Sequence, residues 1–469
     1  MTKDLGTPAL IQALKELSPI HFIGVGGSGM RPLAELASKL LSSQGAVSGS
    51  DVEAFKELSS VEFGLEGSPA AERLLDGAKS VVYSSAITKT HLALTTARAK
   101  NLNLLHRSEL LALFTRHFKT IAVAGTHGKS TTSALITHAL REVGLDPSWI
   151  IGAPFADGVP SYGLGKSSLL VIEADESDGT FLRYAPTVAV LNNIEADHMD
   201  FYQSLGRLEQ AFETYVRSVP DQGGVCFWQD SPAVQRAVAS FSGRRCSFGL
   251  DTAAQLRLVS QTPAGLSTMV HMTFEGRLFT LNLPLPGQHN VLNALAAISA
   301  LQLVGVGIEG ASKALSSFSG VKRRLQRHPG PEGVLVFDDY AHNPGKIRGC
   351  LAGLTAAFPG RHLIAVFQPH RFSRLSSLYN EFVTAFLGFS VTVVVVPVYA
   401  SGEAFQEGFD PKKMAVDIET LSHVKTFSAA NLKDASKLVK SIMNNADDLV
   451  VTLGAGDVWR VAEDLARPM

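Results

Sequence analysis

Gly125-Thr126-His127-Gly128-Lys129-Ser130-Thr131-Thr132 follows the apolar run Lys119 to Ala124 and leads into a helical pattern. That is where a phosphate loop belongs. Glycines let backbone N–H groups approach phosphate oxygens, and the start of a helix adds the positive end of its dipole. Lys129 can reach terminal phosphates, and the Ser130 hydroxyl can ligate magnesium. The full G-x-x-x-x-G-K-[ST] pattern is not met, because Val123 stands where its first glycine should be. The strand–loop–helix setting therefore carries the reading. Further on, Leu169 to Ile172 reads as a strand followed by Glu173-Ala174-Asp175-Glu176-Ser177-Asp178. Magnesium takes oxygen ligands and phosphate oxygens together, and Glu173, read as first after the strand, is the expected ligand. Asn192-Asn193-Ile194-Glu195-Ala196-Asp197-His198 follows the next apolar run, Thr187 to Leu191. This places His198 at the carboxyl ends of strands, where α/β sites collect.

These groups need a scaffold, and the chain supplies three successive starts. The first is a strand at Ile20 to Val25, a glycine-rich turn through Gly24-Val25-Gly26-Gly27-Ser28-Gly29 and a helix at Pro32 to Leu41. Strands near Ala46 to Gly49, ending at Ser50-Asp51, and at Ser80 to Tyr83, running into Ser84-Ser85, continue a Rossmann-like parallel sheet. The phosphate loop opens the second unit, and alternating segments such as His271 to Phe274 and Leu278 to Leu283 suggest antiparallel decoration. Gly333 to Phe337 followed by Asp338-Asp339-Tyr340 opens the third, with strands at His362 to Phe367, Thr392 to Val398 and Leu449 to Leu453. The expected architecture is α/β in three domains, 1–112 and 321–469 Rossmann-like and 113–320 built like a P-loop ATPase.

Composition removes other classes. A chain of 469 residues with 45% hydrophobic and 18% charged residues suits a multidomain globular enzyme. A formal net charge of −1 lacks the cationic excess of a nucleic-acid binder. Three scattered cysteines, Cys226, Cys246 and Cys350, make neither a disulfide framework nor a zinc site. Met1 to Pro8 shows no signal-peptide pattern, and apolar stretches such as Val391 to Val398 are far short of a membrane span. A cytoplasmic location with no membrane partner is expected.

Taken in order, these segments resemble the Mur ligase family, the ATP-dependent amide-forming enzymes of peptidoglycan precursor synthesis. The resemblance runs from His21 to Met30 through Ser48 to Asp51, Gly125 to Thr132, Glu173 to Gly179 and Asn193 to Asp200. It continues through Gly287 to Leu295, Gly320 to Gln326, Asp338 to Pro344, Phe367 to Arg374 and Pro397 to Glu403. It implies that a UDP-sugar, rather than a dinucleotide, is held by Gly26, Gly27, Ser28, Gly29, Met30, Ser50, Asp51, Ser84, Ser85 and Arg107. ATP falls to Gly125, Thr126, His127, Gly128, Lys129, Ser130 and Thr131, with Asn293, Arg324, Asp339 and His342 from later in the chain. Two magnesium ions are implied, on Ser130, Glu173 and His198, with Lys129, Glu173 and His198 as the catalytic set. Tyr340, Arg371 and Arg374 are the implied amino-acid pocket. The pattern is closest to members that join L-alanine to UDP-N-acetylmuramate through an acyl phosphate, acting as a monomer or weak homodimer.

The sequence departs from that pattern in two places. Ser130 replaces the usual threonine, and His342-Asn343-Pro344-Gly345-Lys346 stands where two adjacent histidines and a later glutamate are expected. No lysine occurs between Lys166 and Lys313, so the carbamylated lysine of several siblings is not available in that stretch, as expected for the alanine-adding type. The alternatives are a recycling ligase that attaches a whole tripeptide to the same sugar and a sensor that has kept the loops and lost the chemistry.

Overall fold

The computed structural model describes residues 7–466 apart from 44, 55–57, 59, 332 and 444–446. The beginning of the chain, where the lack of a signal peptide was read, lies mostly outside these residues. Short runs of Val, Ile, Leu and Ala form strands that are buried on both faces, as parallel sheets require. The first sheet comprises β1 (Ile20–Ile23), β2 (Val47–Asp51), β3 (Glu62–Leu65), β4 (Ser80–Tyr83) and β5 (Asn103–His106), all parallel in the order β3-β2-β1-β4-β5. Within it His21 is fully buried, its ring nitrogens each 3.0 Å from the hydroxyls of Ser48 and Ser50. Burial lowers its pKa to about 4 and keeps the ring neutral.

The second sheet holds β6 (Lys119–Ala124), β7 (Ser148–Ile150), β8 (Tyr162–Gly163), β9 (Leu169–Glu173), β10 (Val188–Leu191), β11 (Gly224–Trp228), β12 (Arg244–Gly249), β13 (Leu256–Ala264), β14 (Ser267–Phe274) and β15 (Arg277–Leu283). Its order is β15-β14-β13-β12-β11-β10-β6-β9-β7-β8. Strands β9, β6, β10, β11 and β12 are parallel, and the expected antiparallel decoration is the meander β13-β14-β15. The helices Lys129–Glu142 and Gln288–Leu303 cover one face, with Leu135, Leu295 and Ile298 fully buried against Val123 and Val190. On the other face Phe181, Phe212 and Tyr215 pack together, with ring centroids 5.1 to 5.3 Å apart.

The third sheet orders β16 (Gln326–His328), β17 (Leu335–Asp339), β18 (Leu363–Phe367), β19 (Val391–Val395), β20 (Thr426–Ser428) and β21 (Leu449–Leu453) as β16-β17-β21-β18-β19-β20. Only the edge strand β16 is antiparallel. The chain is thus a three-sheet α/β protein, and no helix among the described residues is long and apolar enough to cross a membrane.

The expected strands at Ser80 to Tyr83, Lys119 to Ala124 and Leu449 to Leu453 appear with those ends. Others differ for physical reasons. Glu173 belongs to β9 and pairs with Val123, rather than following the strand. Asp338 and Asp339 likewise lie inside β17. Polar partners allow this: Thr452 donates to Asp338 Oδ1 at 2.6 Å, Arg323 Nε lies 3.2 Å from Oδ2, and Leu325 N donates to Asp339 at 2.8 Å. Strand β19 stops at Val395 short of Pro397, which has no N–H for a ladder.

Gly49 in β2 shows how tightly the first loop is seated. A Cβ there would lie 2.6 to 2.7 Å from the side chain of Val25. Gly49→Ala should destabilise the protein by about 1–3 kcal/mol, the usual cost of overpacking. Gly206→Ala, in a helix with nothing within 4 Å of the added carbon, should be neutral or stabilising by about 0.5–1 kcal/mol. Thermal unfolding of both variants checks the contrast, and an unperturbed Gly49→Ala midpoint would contradict the packing described.

Candidate active site

The phosphate loop joins the end of β6 to the helix Lys129–Glu142. Gly125 and Gly128 have φ of +136° and +81°, and a Cβ on Gly128 would come within 2.2 Å of Asn293 Oδ1 and 2.7 Å of Asn192 Nδ2. Space and backbone both demand glycine there. Asparagines brace the loop: Asn193 Oδ1 accepts from His127 N at 2.7 Å, and Asn192 Nδ2 donates to Thr132 Oγ1 at 3.0 Å. Asn293, on the helix Gln288–Leu303, accepts from Thr132 Oγ1 at 3.3 Å. Thr126 is fixed by Glu195 N, which donates to its hydroxyl at 3.0 Å, and Thr131 is buried in the helix's first turn.

Lys129 Nζ donates to Gly125 O at 2.8 Å and to Glu176 Oε2 at 2.7 Å, and lies 3.6 Å from Asp175. Burial opposes its charge, but Glu176, Asp175 and Glu173 outweigh burial and raise its pKa. Ser130 Oγ stands 2.9 and 3.2 Å from the two oxygens of Glu173. The main chain presses on that pair, since a Cβ on Gly152 would meet Glu173 Oε2 at 2.2 Å and Ser130 Oγ at 2.7 Å. Glu176 Oε1 is buried without a hydrogen-bond partner, and His198 Nε2 lies 4.0 Å from it. His198 sits at φ +56°, a left-handed conformation in which a non-glycine residue is uncommon. Among the described residues no three His, Cys, Asp or Glu side chains converge as a metal cage. Magnesium needs none, because it is commonly held by one or two carboxylates with phosphates and water. The Ser130–Glu173 pair and the orphaned Glu176 oxygen fit an ion that arrives with a nucleotide.

The third unit faces this loop across a cavity of about 1040 Å³. Arg324 Nη2 reaches Ser130 Oγ at 3.4 Å. The guanidinium groups of Arg323 and Arg324 lie 4.9 and 5.2 Å from the centre of the Tyr340 ring. Burial pushes the Asp339 carboxyl up to about 6 against the pull of Arg324. Burial and the cations Lys346 and Arg374 hold His342 well below the usual histidine range, so its ring is neutral. Its Nδ1 lies 2.8 Å from Tyr340 O, and its ring meets those of Tyr340 and His370 at 5.2 and 6.2 Å. Arg374 Nη1 lies 3.2 Å from His370 Nδ1, while Arg371 Nε is bound to Glu403 Oε1 at 2.8 Å. The expected fork at Arg371 is thus partly engaged by a carboxylate of its own unit.

In the first unit Asp51 Oδ2 accepts from Gly26 N at 2.9 Å, and Ser50 O accepts from Gly24 N and Val25 N at 2.8 and 3.1 Å. Ser50 supports the loop through its carbonyl, its hydroxyl being turned inward to His21. Gly27 and Met30 close a turn, Met30 N donating to Gly27 O at 2.9 Å. Arg107 lies over Gly29, 2.7 Å from where a Cβ would be. Ser28 reaches the central cavity. Ser84 O accepts from Ile87 N at 3.0 Å, and Ser85 Oγ donates to Asp178 Oδ2 at 3.3 Å, a contact between first and second units. Among the residues at the site that the sequence-based assignment leaves out are Glu176, Asn192, Arg323 and Lys346. Only Glu176 and Arg323 carried a signal, as members of charged clusters.

A phosphate loop, a carboxylate pair beneath it and cations facing it from a separate unit define a nucleotide-using α/β enzyme of the phosphate-loop class. The Mur ligase family, catalytic domain, matches residues 19–119, the Mur ligase middle domain 123–301, and the Mur ligase glutamate ligase domain 323–456. The chain is 35% identical over 456 residues to a UDP-N-acetylmuramate–L-alanine ligase of Syntrophotalea carbinolica, covering 96% of this chain and 98% of the relative. It is 37% identical over 457 residues to the enzyme of that name from Azorhizobium caulinodans, covering 95% and 96%. A solved UDP-N-acetylmuramate–alanine ligase of Thermotoga maritima superposes with a TM-score of 0.78 at 26% identity, covering 96% and 98%. The chain belongs to the Mur ligase family, whose members are ATP-dependent amide ligases.

Lys129→Ala removes the counter-charge of a glutamate that is 1% exposed. The variant should lose ATP turnover and about 3 kcal/mol or more of stability, because one charge of a buried pair is left behind. The phosphate release rate and the thermal midpoint report the two effects. Near-normal turnover would show that the loop does not hold the nucleotide.

Proposed function

We propose that this chain joins the carboxylate of UDP-N-acetylmuramate to the amino group of L-alanine, converting ATP to ADP and phosphate. The observation that carries this is the meeting, in one cavity, of Lys129, itself paired to the buried Glu176, and the Ser130–Glu173 pair with Arg324 and Tyr340 of the third unit. Relatives bearing that enzyme's name over nearly the whole chain support the choice of substrates. We take the working units as 1–112, 113–320 and 321–469, the helix Arg107–His117 running across the first join.

The chemistry must bring two anions together. Lys129 and the loop N–H groups offset the β- and γ-phosphate charge as the sugar carboxylate attacks the γ-phosphorus in line, displacing ADP. Ser130, Glu173 and His198 are the groups we assign to magnesium, in two ions, which would add neutralising charge and polarise the phosphoryl group. The neutral amine of alanine then attacks the acyl carbon; the acyl C–O bond breaks, phosphate leaves with its electron pair and takes up the proton the nitrogen gives up, and the amide forms. Asn293, Asp339 and His342 are assigned to the nucleotide. The UDP-sugar is assigned to the Gly26-to-Met30 loop with Ser50, Asp51, Ser84, Ser85 and Arg107. Tyr340, Arg371 and Arg374 are assigned to alanine, whose carboxylate must stay bound while its amine reacts. Glu403, held at a pKa of about 2 by Ser373 and Arg371, keeps Arg371 positioned until a substrate carboxylate shares it. ATP and a UDP-sugar are cytoplasmic metabolites, so the reaction belongs in the cytoplasm. A monomer or weak homodimer would suffice.

An amino-acid panel with UDP-N-acetylmuramate and ATP, read by product mass, should give the alanine adduct most rapidly. Ligation only of a tripeptide would instead identify a recycling ligase, and no product with any acceptor would leave a sensor. Arg371→Lys keeps the charge but loses the planar fork. It should raise KM for alanine about tenfold or more, with KM for ATP little changed. A weakened ATP KM with unchanged alanine KM would place this arginine in the nucleotide site.

A further inference from the structure

Lys346 opens the helix Pro344–Ala357, where its backbone N–H donates to the Asn343 cap at 2.8 Å. Its side chain enters the central cavity, and its ammonium has no hydrogen-bond or ion-pair partner among the described residues. The charges that act on it most strongly come from four places. Arg324 belongs to the loop before β16, Lys129 to the phosphate loop, Asp197 to the loop after β10, and Arg374 to the helix Phe372–Ser377. Three of the four are cations. Lys129 has Glu176 and Asp175 within 4 Å to balance it, whereas Lys346 has no such partner among the described residues, and of the four charges that act on it most strongly one, Asp197, is an anion. Burial and these neighbours pull its pKa down to about 8. A half-buried ammonium set among like charges costs free energy, and a polyanion placed between them would reverse that cost.

We propose that Lys346 is a further phosphoryl-binding residue, carried by the third unit onto the group that moves between ATP and the sugar carboxylate. The position supports this, since Lys346 shares the cavity with Lys129 on one side and with Tyr340 and His342 on the other. Alanine is small and brings a single carboxylate, for which Arg371 and Arg374 suffice. The anion with charge to spare is the γ-phosphate, and after transfer the acyl phosphate. The inference rests on the proposed reaction for the second of these and only on the phosphate loop for the first.

The test compares a non-hydrolysable ATP analogue with ADP, by titration calorimetry on the full chain. Lys346→Gln should weaken the analogue about 10- to 100-fold, the range of one charge-assisted hydrogen bond, and leave ADP nearly unchanged. Lys346→Arg should recover most of the loss. Without nucleotide, Lys346→Gln should unfold at the same or a higher temperature than the parent, because a repulsive charge has gone. Equal weakening of both nucleotides, no weakening of either, or a lower unfolding temperature would each overturn the assignment. Neither titration needs sugar or amino acid. A parent enzyme that made no alanine adduct would refute the proposed reaction and leave the Lys346 result to be read separately.

Discussion

The ammonium of Lys129 is held 2.7 Å from a carboxylate that is 1% exposed. Removing both charges from water costs several kcal/mol each, and their attraction repays this only when remaining polar atoms are also satisfied. Here they are not wholly satisfied, since Glu176 Oε1 has no hydrogen-bond partner. The arrangement makes sense as a site that awaits further charge. On the proposed reaction, phosphates entering the loop would offer Lys129 further acceptors, and a cation brought with them would give Glu176 Oε1 the neighbour it lacks. Much of the second unit serves to hold this geometry. The asparagines 192, 193 and 293 fix the loop from two other segments, and the ends of β6, β9 and β10 set the distances between them.

The third unit is tied to the same constraint. Arg324 reaches Ser130 from a loop whose neighbour, Arg323, is pinned by Asp338 and by the carbonyls of Gly454 and Ala455. The pinned arginine and the reaching one both lie against Tyr340, so the proposed nucleotide and amino-acid pockets would share a wall. An acyl phosphate is lost if water reaches it first. A wall common to both pockets lets the second substrate wait beside the bond being made, and closure of the third unit onto the loop would exclude solvent as it brings charge.

Much of this could be read from sequence because local patterns report local structure. Apolar runs such as Lys119 to Ala124 mark the strands, and the glycines after them mark turns that only glycine can make. The same patterns gave the three units in order, and the resemblance supplied the ligand expected at each. What could not be read is which charge meets which. Four carboxylates follow Leu169 to Ile172, and nothing local marks Glu176 among them as the one that holds Lys129, 47 residues before it. Arg371 reads as a free fork until Glu403, 32 residues later, is found against it. Ser50 reads as a ligand contact, and nothing local in the sequence shows that its hydroxyl also meets His21 of the neighbouring strand. Asp338 and Asp339 look like loop residues, although Thr452 and Arg323 let them remain in a strand. In each case the deciding partner lies far away in sequence.

In the proposed reaction the charge cluster around Lys129 activates a carboxylate by moving a phosphoryl group onto it. UDP-N-acetylmuramate labelled with heavy oxygen in its carboxylate, turned over with ATP and alanine, tests this directly. Transfer through an acyl phosphate requires one labelled oxygen to appear in the released phosphate for each amide formed. Label confined to the amide product and unreacted sugar, with none in phosphate, would contradict it.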